Sequence, residues 1–573
     1  MNDINILPDT LINQIAAGEV VQRPASIVKE LIENALDANA TSIEIFLKAG
    51  GKQSIKIVDN GHGMNCQNLQ LAIQRHATSK ISRLEDLSAI TTMGFRGEAV
   101  PAIASVSRIQ ISTTAQGDNE GYQLIMHGGN SPQIMPCAPS TGTTFLVEDL
   151  FFNTPARRKF MKSDRAELNK IVDVVTRFSL VHPHIAINLY HNDKKVFNLK
   201  ASSLENRIAK LCGIEQKSLI EIPHTQRGSI AVYGYVSSPE KNYNNRSSIY
   251  IAVNGRFIQD PTPLQAIVQA SKDFFPGGRF PAAFIYLECL PDWVDVNVHP
   301  AKTEVKFQDQ KNVFGLIRKS CSEAWQNYKQ TDHAPIQNLI TTDQNIKNYP
   351  IHTPTYTKNN IVHEPPTQFI TETPTPLPMS KSLEDIEIDN APIFQIDNIY
   401  IAVAYKGGLL VLDQHAIHEK ITFLKLIDNT NKNILTQKLL NPEIIPLTPK
   451  QIINFNTYKE ILNNAGFDID LFGENELICH GTPTILKNLN PTKIITEIFE
   501  STNPKDNIQN LKKTVIERIA CHSSIRGGNK LNDTTMRDLL RQYITLTNAS
   551  TCPHGRPVAK FFTSEELAKW FHR

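Results

Sequence analysis

Between residues 331 and 391 the chain loses the patterning of a folded protein. The stretch beginning TDHAPIQNLITTDQNIKNYPIHTPTYTKNN and running on through VHEPPTQFITETPTPLPMSKS is crowded with Thr, Pro and Asn and has no apolar periodicity. Such a segment cannot bury enough apolar surface to offset the entropy of ordering it, so it reads as a flexible linker. It divides a chain of 573 residues, already longer than one hydrophobic core usually organises, into two globular parts. About three or four folded units are expected.

Outside that stretch the chain has an ordinary globular balance, with 40% apolar and 20% charged residues, which excludes disorder of the whole. The N-terminal MNDINILPDTLINQ carries Asp3 and no basic region ahead of an apolar run, unlike a signal peptide. No apolar run approaches the roughly 18 residues that cross a bilayer. A cytoplasmic protein with no membrane partner is the expectation. Eight scattered cysteines argue for thiols or metal ligands over a disulfide framework. A net charge of +2 permits nucleic-acid binding without demanding it.

Residues 1–330 mix amphipathic helices with alternating strands such as SIEIFLKAG (42–50) and SIKIVDN (54–60), an α+β pattern. In PASIVKELIENALDANA (24–40) the apolar stripe Ile27, Val28, Leu31, Ala35 and Leu36 predicts a helix, with Pro24 near its start. Glu30, Asn34 and Asp37 fall on another face. A carboxylate one turn from a carboxamide can orient and deprotonate water while the amide oxygen serves Mg²⁺; on this helix alone, a solvated face is the better explanation. A strand then ends in VDNGHGM (58–64), where Asp59 can accept a hydrogen bond from an adenine amino group and Gly61 and Gly63 let the backbone turn close to a base. RHATSKI (75–81) supplies Thr78, Ser79 and Lys80, and GFRGEA (94–99) supplies Gly94, Arg96 and Gly97 for a loop of N–H groups around phosphate. A true P-loop is absent, since GGK (50–52) is followed by Gln53.

These motifs, in this order and starting with NQIAAGEVVQRPASIVKELIENALDA, resemble the MutL family of DNA mismatch-repair proteins, as do GTTFLVEDLFFNTPARRKF (142–160), VNGRFI (253–258) and VDVNVHPAKTEVKF (294–307). The resemblance implies an α+β protein in four parts. A GHKL (Bergerat) ATPase sandwich would span 1–204 and a split-βαβ transducer and DNA-binding domain 205–330. A disordered linker would follow over 331–391, then an α/β C-terminal dimerisation and endonuclease domain over 392–573. It implies ATP and Mg²⁺ as cofactors, Glu30 as general base, Asn34 as Mg²⁺ ligand and Asp59 as adenine reader. Thr78, Lys80, Arg96, Gly97 and Thr143 would touch the nucleotide or its lid, and Lys302 would reach the γ-phosphate from the second domain. Arg256, in the VNGRF turn, becomes a candidate phosphate contact for sequence-nonspecific DNA binding, beside a local basic cluster of Arg157, Arg158, Lys159 and Lys162.

The C-terminal part offers DQHAIHEK (413–420), ACHSSIR (520–526) and CPHGRP (552–557), whose carboxylate, imidazole and thiolate groups suit Zn²⁺ or Mn²⁺ if they converge. Together they resemble the endonuclease site of nicking MutL proteins, implying Asp413, His415, Glu419, Cys521, Cys552 and His554 as ligands. Two departures stand out: Leu424 occupies the place of a second Glu, with Asp428 one turn on, and ACH replaces ACR or ACK. TQKLLNP (436–442) resembles the peptide that docks on the replication sliding clamp, implying Gln437, Leu439, Leu440 and Pro442 as contacts. The implied partners are DNA, the mismatch-recognition protein MutS, the sliding clamp and a second copy of the chain. Two functions compete: an ATP-regulated repair protein that also nicks DNA, and a non-nuclease matchmaker that recruits a separate nicking enzyme. A topoisomerase or chaperone on the same ATPase is disfavoured by FFNTPARRKF and HPAKTEV.

Overall fold

The computed structural model describes residues 17–80, 97–295, 305–332 and 388–571, except 19, 389, 406, 430–434, 474, 485–489, 502–507, 526–527, 547–550 and 554–555. The sequence-predicted linker lies almost wholly outside the described residues, as do Gly94, Arg96, Lys302 and His554. Two compact units emerge, one from residues 1–329 with 429–519 and one from 330–428 with 520–573.

In the first unit, helix α1 (Pro24–Asp37) begins with Pro at its first turn, where the missing N–H costs nothing. Its buried face comprises Ile27, Val28, Leu31, Ile32 and Ala35, the predicted stripe with Ile32 in place of Leu36, which is only partly buried. Burying each of the larger side chains is worth about 2 kcal/mol. Strands β1 (Ser42–Lys48) and β2 (Ser54–Asp59) alternate as the sequence predicts, with Ile43, Ile45, Ile55 and Ile57 fully buried. There follow α2 (Cys66–Ala72), α3 (Ala99–Val106), β3 (Arg108–Thr114), β4 (Gly121–His127), β5 (Gln133–Cys137) and β6 (Gly142–Glu148). Next come α4 (Pro155–Phe160), α5 (Asp164–Val181), β7 (Ala186–His191) and β8 (Lys194–Leu199). The strands form one eight-stranded sheet in the order β5-β4-β3-β6-β2-β1-β7-β8, in which only β1 and β7 run parallel. Helices α1 and α5 pack against each other over this sheet. The pairing Ile43↔Asp59 and Asp59↔Thr143 puts Asp59 at a strand end beside α1 and β6.

Helix α6 (Leu204–Cys212) leads into β9 (Leu219–Arg227), β10 (Ile230–Ser237), β11 (Ile249–Val253), β12 (Arg256–Phe257), α7 (Pro261–Ser271), β13 (Ala283–Cys289) and α8 (Gln310–Asp332). These strands make a second sheet in the order β12-β11-β13-β10-β9. Parallel β11 and β13, joined through α7, are its βαβ unit. Trp325 of α8 is fully buried and donates from Nε1 to the Ser237 carbonyl at 3.0 Å.

The second unit opens with β14 (Ile393–Ile396), β15 (Tyr400–Tyr405) and β16 (Gly408–Asp413), and α9 (Gln414–Asn429) follows without a break. Strands β15 and β16 form a hairpin: Tyr405 pairs with Gly408, and Gly407 takes φ +71°. The next segment belongs to the first unit, with β17 (Thr436–Pro446), α10 (Pro449–Asn464), β18 (Asp468–Phe472), β19 (Glu476–Pro483) and α11 (Pro491–Ser501) around a three-stranded sheet, β17-β19-β18. Helix α12 (Ile508–Ser523) belongs to the first unit up to Ile519, and the second unit resumes at Ala520 and ends in α13 (Asp533–Ile544), β20 (Ala559–Phe562) and α14 (Ser564–Trp570). Its four-stranded sheet runs β14-β15-β16-β20. Thr563 and Glu566 form a capping box that opens α14 with both of its hydrogen bonds.

Candidate functional site

One end of the large sheet gathers most of the residues read from the N-terminal motifs. Helix α1 carries Glu30, half-buried, whose Oε1 accepts from Lys29 Nζ at 3.3 Å; the same ammonium reaches Glu33 at 3.4 Å. One turn on, Asn34 Oδ1 accepts from Lys80 Nζ at 3.1 Å, and Lys80 also pairs with Asp37. Thus RHATSKI folds back over α1 across more than forty residues of sequence. An ammonium held between a carbonyl oxygen and a carboxylate marks a place where a cation is favoured, and hard oxygen donors of this kind suit Mg²⁺. Thr78 Oγ1 accepts from the Lys80 N–H at 3.2 Å and so shapes the turn that delivers the lysine. Ser79 lies exposed beside it.

Asp59 is 5% exposed, and its Oδ1 accepts from the N–H of Gly61 at 2.9 Å and of Thr143 at 3.3 Å. Burial pushes its carboxyl above the ordinary range; the two backbone donors pull the other way without cancelling it. Gly63 has φ +65°, and a Cβ there would lie 1.9 Å from the Thr114 carbonyl oxygen, so the turn admits only glycine. Thr143 Oγ1 lies 3.1 Å from Thr113 Oγ1, a buried hydroxyl pair that ties β6 to β3 behind Asp59. Thr113 was not singled out in the sequence; the alternation of β3 marks it only as inward-facing. Gly97, with φ +62°, lies so close to Ala77 that a Cβ would meet its carbonyl oxygen at 2.3 Å. That contact brings Gly97 against Ala77 of the RHATSKI motif. A cleft of about 600 Å³ opens beside the Asp59 turn, lined by Asn39, Gly61, His62, Thr114 and Asp118 among others. Glu30, Asn34 and Lys80 are not on its walls.

Arg256 is placed differently from an open phosphate contact. It is partly buried in the short strand β12, and burial lowers its pKa while the carboxylates of Glu33 and Asp37 on α1 oppose that shift. Exposed cations do lie in and just after the FFNTPARRKF motif: Arg158, Lys159 and Lys162 lie in the open around α4 beside Phe160, which is 86% exposed. Arg157 turns inward against Gly18.

In the second unit, His415, Glu419 and Cys521 converge, with one ligand atom from each within 4.8 Å of the others. His415 and Glu419 share a face of α9 at a spacing of four, and α12 brings in Cys521. Glu419 is 2% exposed. His415 Nδ1 lies 2.9 Å from the Ile525 carbonyl, which orients the ring, and the Ile525 N–H donates to His418 Nδ1 at 3.2 Å. A buried carboxylate, an oriented imidazole and a thiol form a donor set that fits a divalent transition metal. Asp413 accepts at Oδ1 from the N–H groups of His415 and Ala416 at 2.9 and 3.0 Å as the cap of α9. Cys552, 3% exposed, packs in the core of this unit.

TQKLLNP falls on β17 where its register with β19 slips between Lys438 and Glu443. The bulge carries Leu440 out to 97% exposure, with Gln437 and Pro442 also exposed and Leu439 partly covered.

A buried aspartate behind a glycine turn, beside a helix that carries a Glu and an Asn one turn apart, lies within a segment that belongs to an ATPase domain of the GHKL class. Residues 22–135 match the family model described as histidine kinase-, DNA gyrase B- and HSP90-like ATPase. Residues 208–326 match the C-terminal domain of DNA mismatch repair proteins, and 393–531 the MutL C-terminal dimerisation domain. Along its whole length the chain is 34% identical to the DNA mismatch repair protein MutL of Geotalea daltonii, over 99% of that protein. Against the MutL of Geobacter sulfurreducens it is 34% identical, again over the whole chain and 99% of the relative. With that of Parabacteroides distasonis the figure is 31% over the whole of both chains. The chain belongs to the MutL family of DNA mismatch-repair proteins. Among the described residues no helix is long and apolar enough to cross a membrane.

Proposed function

We propose that this mismatch-repair ATPase couples ATP turnover to metal-dependent nicking of DNA, and the convergence of His415, Glu419 and Cys521 carries the nicking half of that reading. Cys552 and His554 would complete the ligand set, and Asp413 would hold the start of α9 in place. Zn²⁺ or Mn²⁺ bound there would supply a Lewis acid beside the scissile phosphate.

In the ATPase, Glu30 is the general base, Asn34 the Mg²⁺ ligand and Asp59 the adenine reader. Lys80 would exchange Asn34 and Asp37 for nucleotide phosphate. Gly61, Gly63 and Thr143 shape the base pocket, and Thr78, Ser79, Gly94, Arg96 and Gly97 the phosphate loop. Lys302 would reach the γ-phosphate from the second domain. The four-part division at 204, 330 and 391 belongs to the same reading. DNA would meet the exposed Arg158, Lys159 and Lys162 without sequence preference; Arg256 is better placed to sense α1. The bulged QKLLNP segment would dock on the sliding clamp, and MutS would deliver the protein to a mismatch.

Purified full-length protein incubated with supercoiled plasmid and Mn²⁺, with and without ATP, tests this reading. Open circles are expected, lost on chelation and in Glu419→Ala while ATP hydrolysis persists. Leu424, where a second carboxylate would stand, favours the matchmaker alternative. A plasmid that stayed supercoiled, with no metal bound to the protein, would replace the nicking reading with that one.

A further inference from the structure

Helix α5 presents Arg165, Asn169 and Asp173 at spacings of four, a polar stripe flanking the buried stripe of Leu168, Val172 and Val175. Nothing in the ATPase reading uses it. In the structure it is covered by α10. Arg165 Nε donates to Asn454 Oδ1 at 2.5 Å and Nη2 to the Asn454 carbonyl at 3.2 Å, while Nη1 bonds Thr457 Oγ1. Lys450 pairs with Asp173 at 3.0 Å. Asn454 is 1% exposed, and its own Nδ2 donates to the Lys450 carbonyl at 2.7 Å and to Asn169 Oδ1 at 3.4 Å, so the buried amide is satisfied on both sides of the seam.

Two further contacts lie away from α5. The Thr448 methyl, at the N-cap of α10, rests against Gly213 at the end of α6, where an added Cβ would meet it at 3.4 Å. Lys241, beyond β10, pairs with Glu500 of α11 at 3.2 Å, and both side chains are largely covered.

We propose that the polar stripe of α5 is a docking surface for the 436–501 subdomain of the same chain, which it holds as a reversible, salt-sensitive latch spanning the ATPase domain and the second domain. The chemistry favours reversibility. Most of the contact exchanges protein–water for protein–protein hydrogen bonds, each worth little net, and apolar burial at the seam is limited to residues such as Ile453 and Tyr458. Charged pairs in the latch weaken as salt shortens the screening length. The latch would carry the exposed Leu440 bulge on the ATPase body, so that a partner gripping that bulge pulls on α5. This inference rests on the contacts of α5, α10 and α11 and does not depend on nicking activity.

Zero-length carbodiimide coupling of the full-length protein tests it. At low salt, peptide mapping should find amide links between Lys450 and Asp173 and between Lys241 and Glu500, each within one chain. Arg165→Glu, which replaces three donors with a carboxylate facing the Asn454 carbonyl, should lower both links at least about ten-fold. About 1 M NaCl during coupling should lower both as well. Asp173→Lys and Lys450→Asp should each abolish the first link, and the reciprocal double variant should restore it, which a misfolded protein could not do. The proposal is overturned if wild-type protein forms neither link, if the links join only different chains, if both persist in Arg165→Glu, or if the double variant fails to restore the first.

Discussion

Asp59 carries two opposed demands in one side chain. Burial raises its carboxyl pKa, the donors from Gly61 and Thr143 lower it, and the net is upward. A carboxyl that binds its proton more tightly in the folded state stabilises the fold below the unfolded pKa, and that contribution is lost as pH rises through the folded value. Once ionised, the group is therefore a liability to stability. Asp59→Asn, which keeps an oxygen for both N–H donors, should melt higher than wild type at pH 7 and above, with the difference shrinking on acidification. It should also lose ATP, because an amide cannot offer adenine the same acceptor pattern. Equal melting at every pH would show that the carboxylate is at no disadvantage there. Glu30→Ala should retain nucleotide binding and lose hydrolysis by about 10² to 10⁴-fold, the usual contribution of a positioned base. Asn34→Ala should instead lose Mg²⁺-dependent binding; isothermal titration with Mg·ATP separates the two. The spacing of Glu30 and Asn34 on one helix was readable from sequence, since helix geometry turns a difference of four into adjacency. The grip of Lys80 on Asn34 and Asp37 was not, because it joins segments that only the returning chain brings together.

At the scale of single elements, local rules predict the most. The alternation of β1 and β2, the proline opening α1 and the Thr563–Glu566 box of α14 follow from propensity and capping chemistry alone. A second box, Thr448 with Gln451 at the start of α10, obeys the same rule and carries the same signal in its spacing. Where an element departs from regularity, its neighbours decide. The register slip in β17 is a property of its pairing with β19, and it throws Leu440 into solvent. An almost fully exposed leucine on a bulge is free to serve as the anchor that the proposed clamp docking needs. Leu440→Asp should therefore abolish retention of the protein on immobilised sliding clamp and leave ATP turnover unchanged. Undiminished retention would assign clamp contact elsewhere.

Across the whole molecule, the outer face of the four-stranded sheet exposes Phe394 at 50%, Ile396 at 40% and Tyr400 at 43%. These lie together, since Ile396 pairs with Tyr400 across β14 and β15. Apolar side chains clustered on a sheet face and edge of a dimerisation domain mark surface that association would cover. Phe394→Asp should shift full-length protein from dimer to monomer in sedimentation while each half keeps its fold; a dimer of unchanged mass would move the interface to another face. By itself the sequence determined the class of this protein, because the nucleotide motifs, the hydrophobic periods and the interrupting Thr/Pro/Asn stretch are encoded at short range, where backbone geometry converts spacing directly into position. Tertiary structure alone brought His415, Glu419 and Cys521 together from two distant segments and set Asp413 at the cap of α9. It also decided that Arg256 faces α1 and that α5 meets α10. Those outcomes depend on distances between residues far apart in the chain, and such distances are set by how whole elements pack, which no local pattern of side chains specifies.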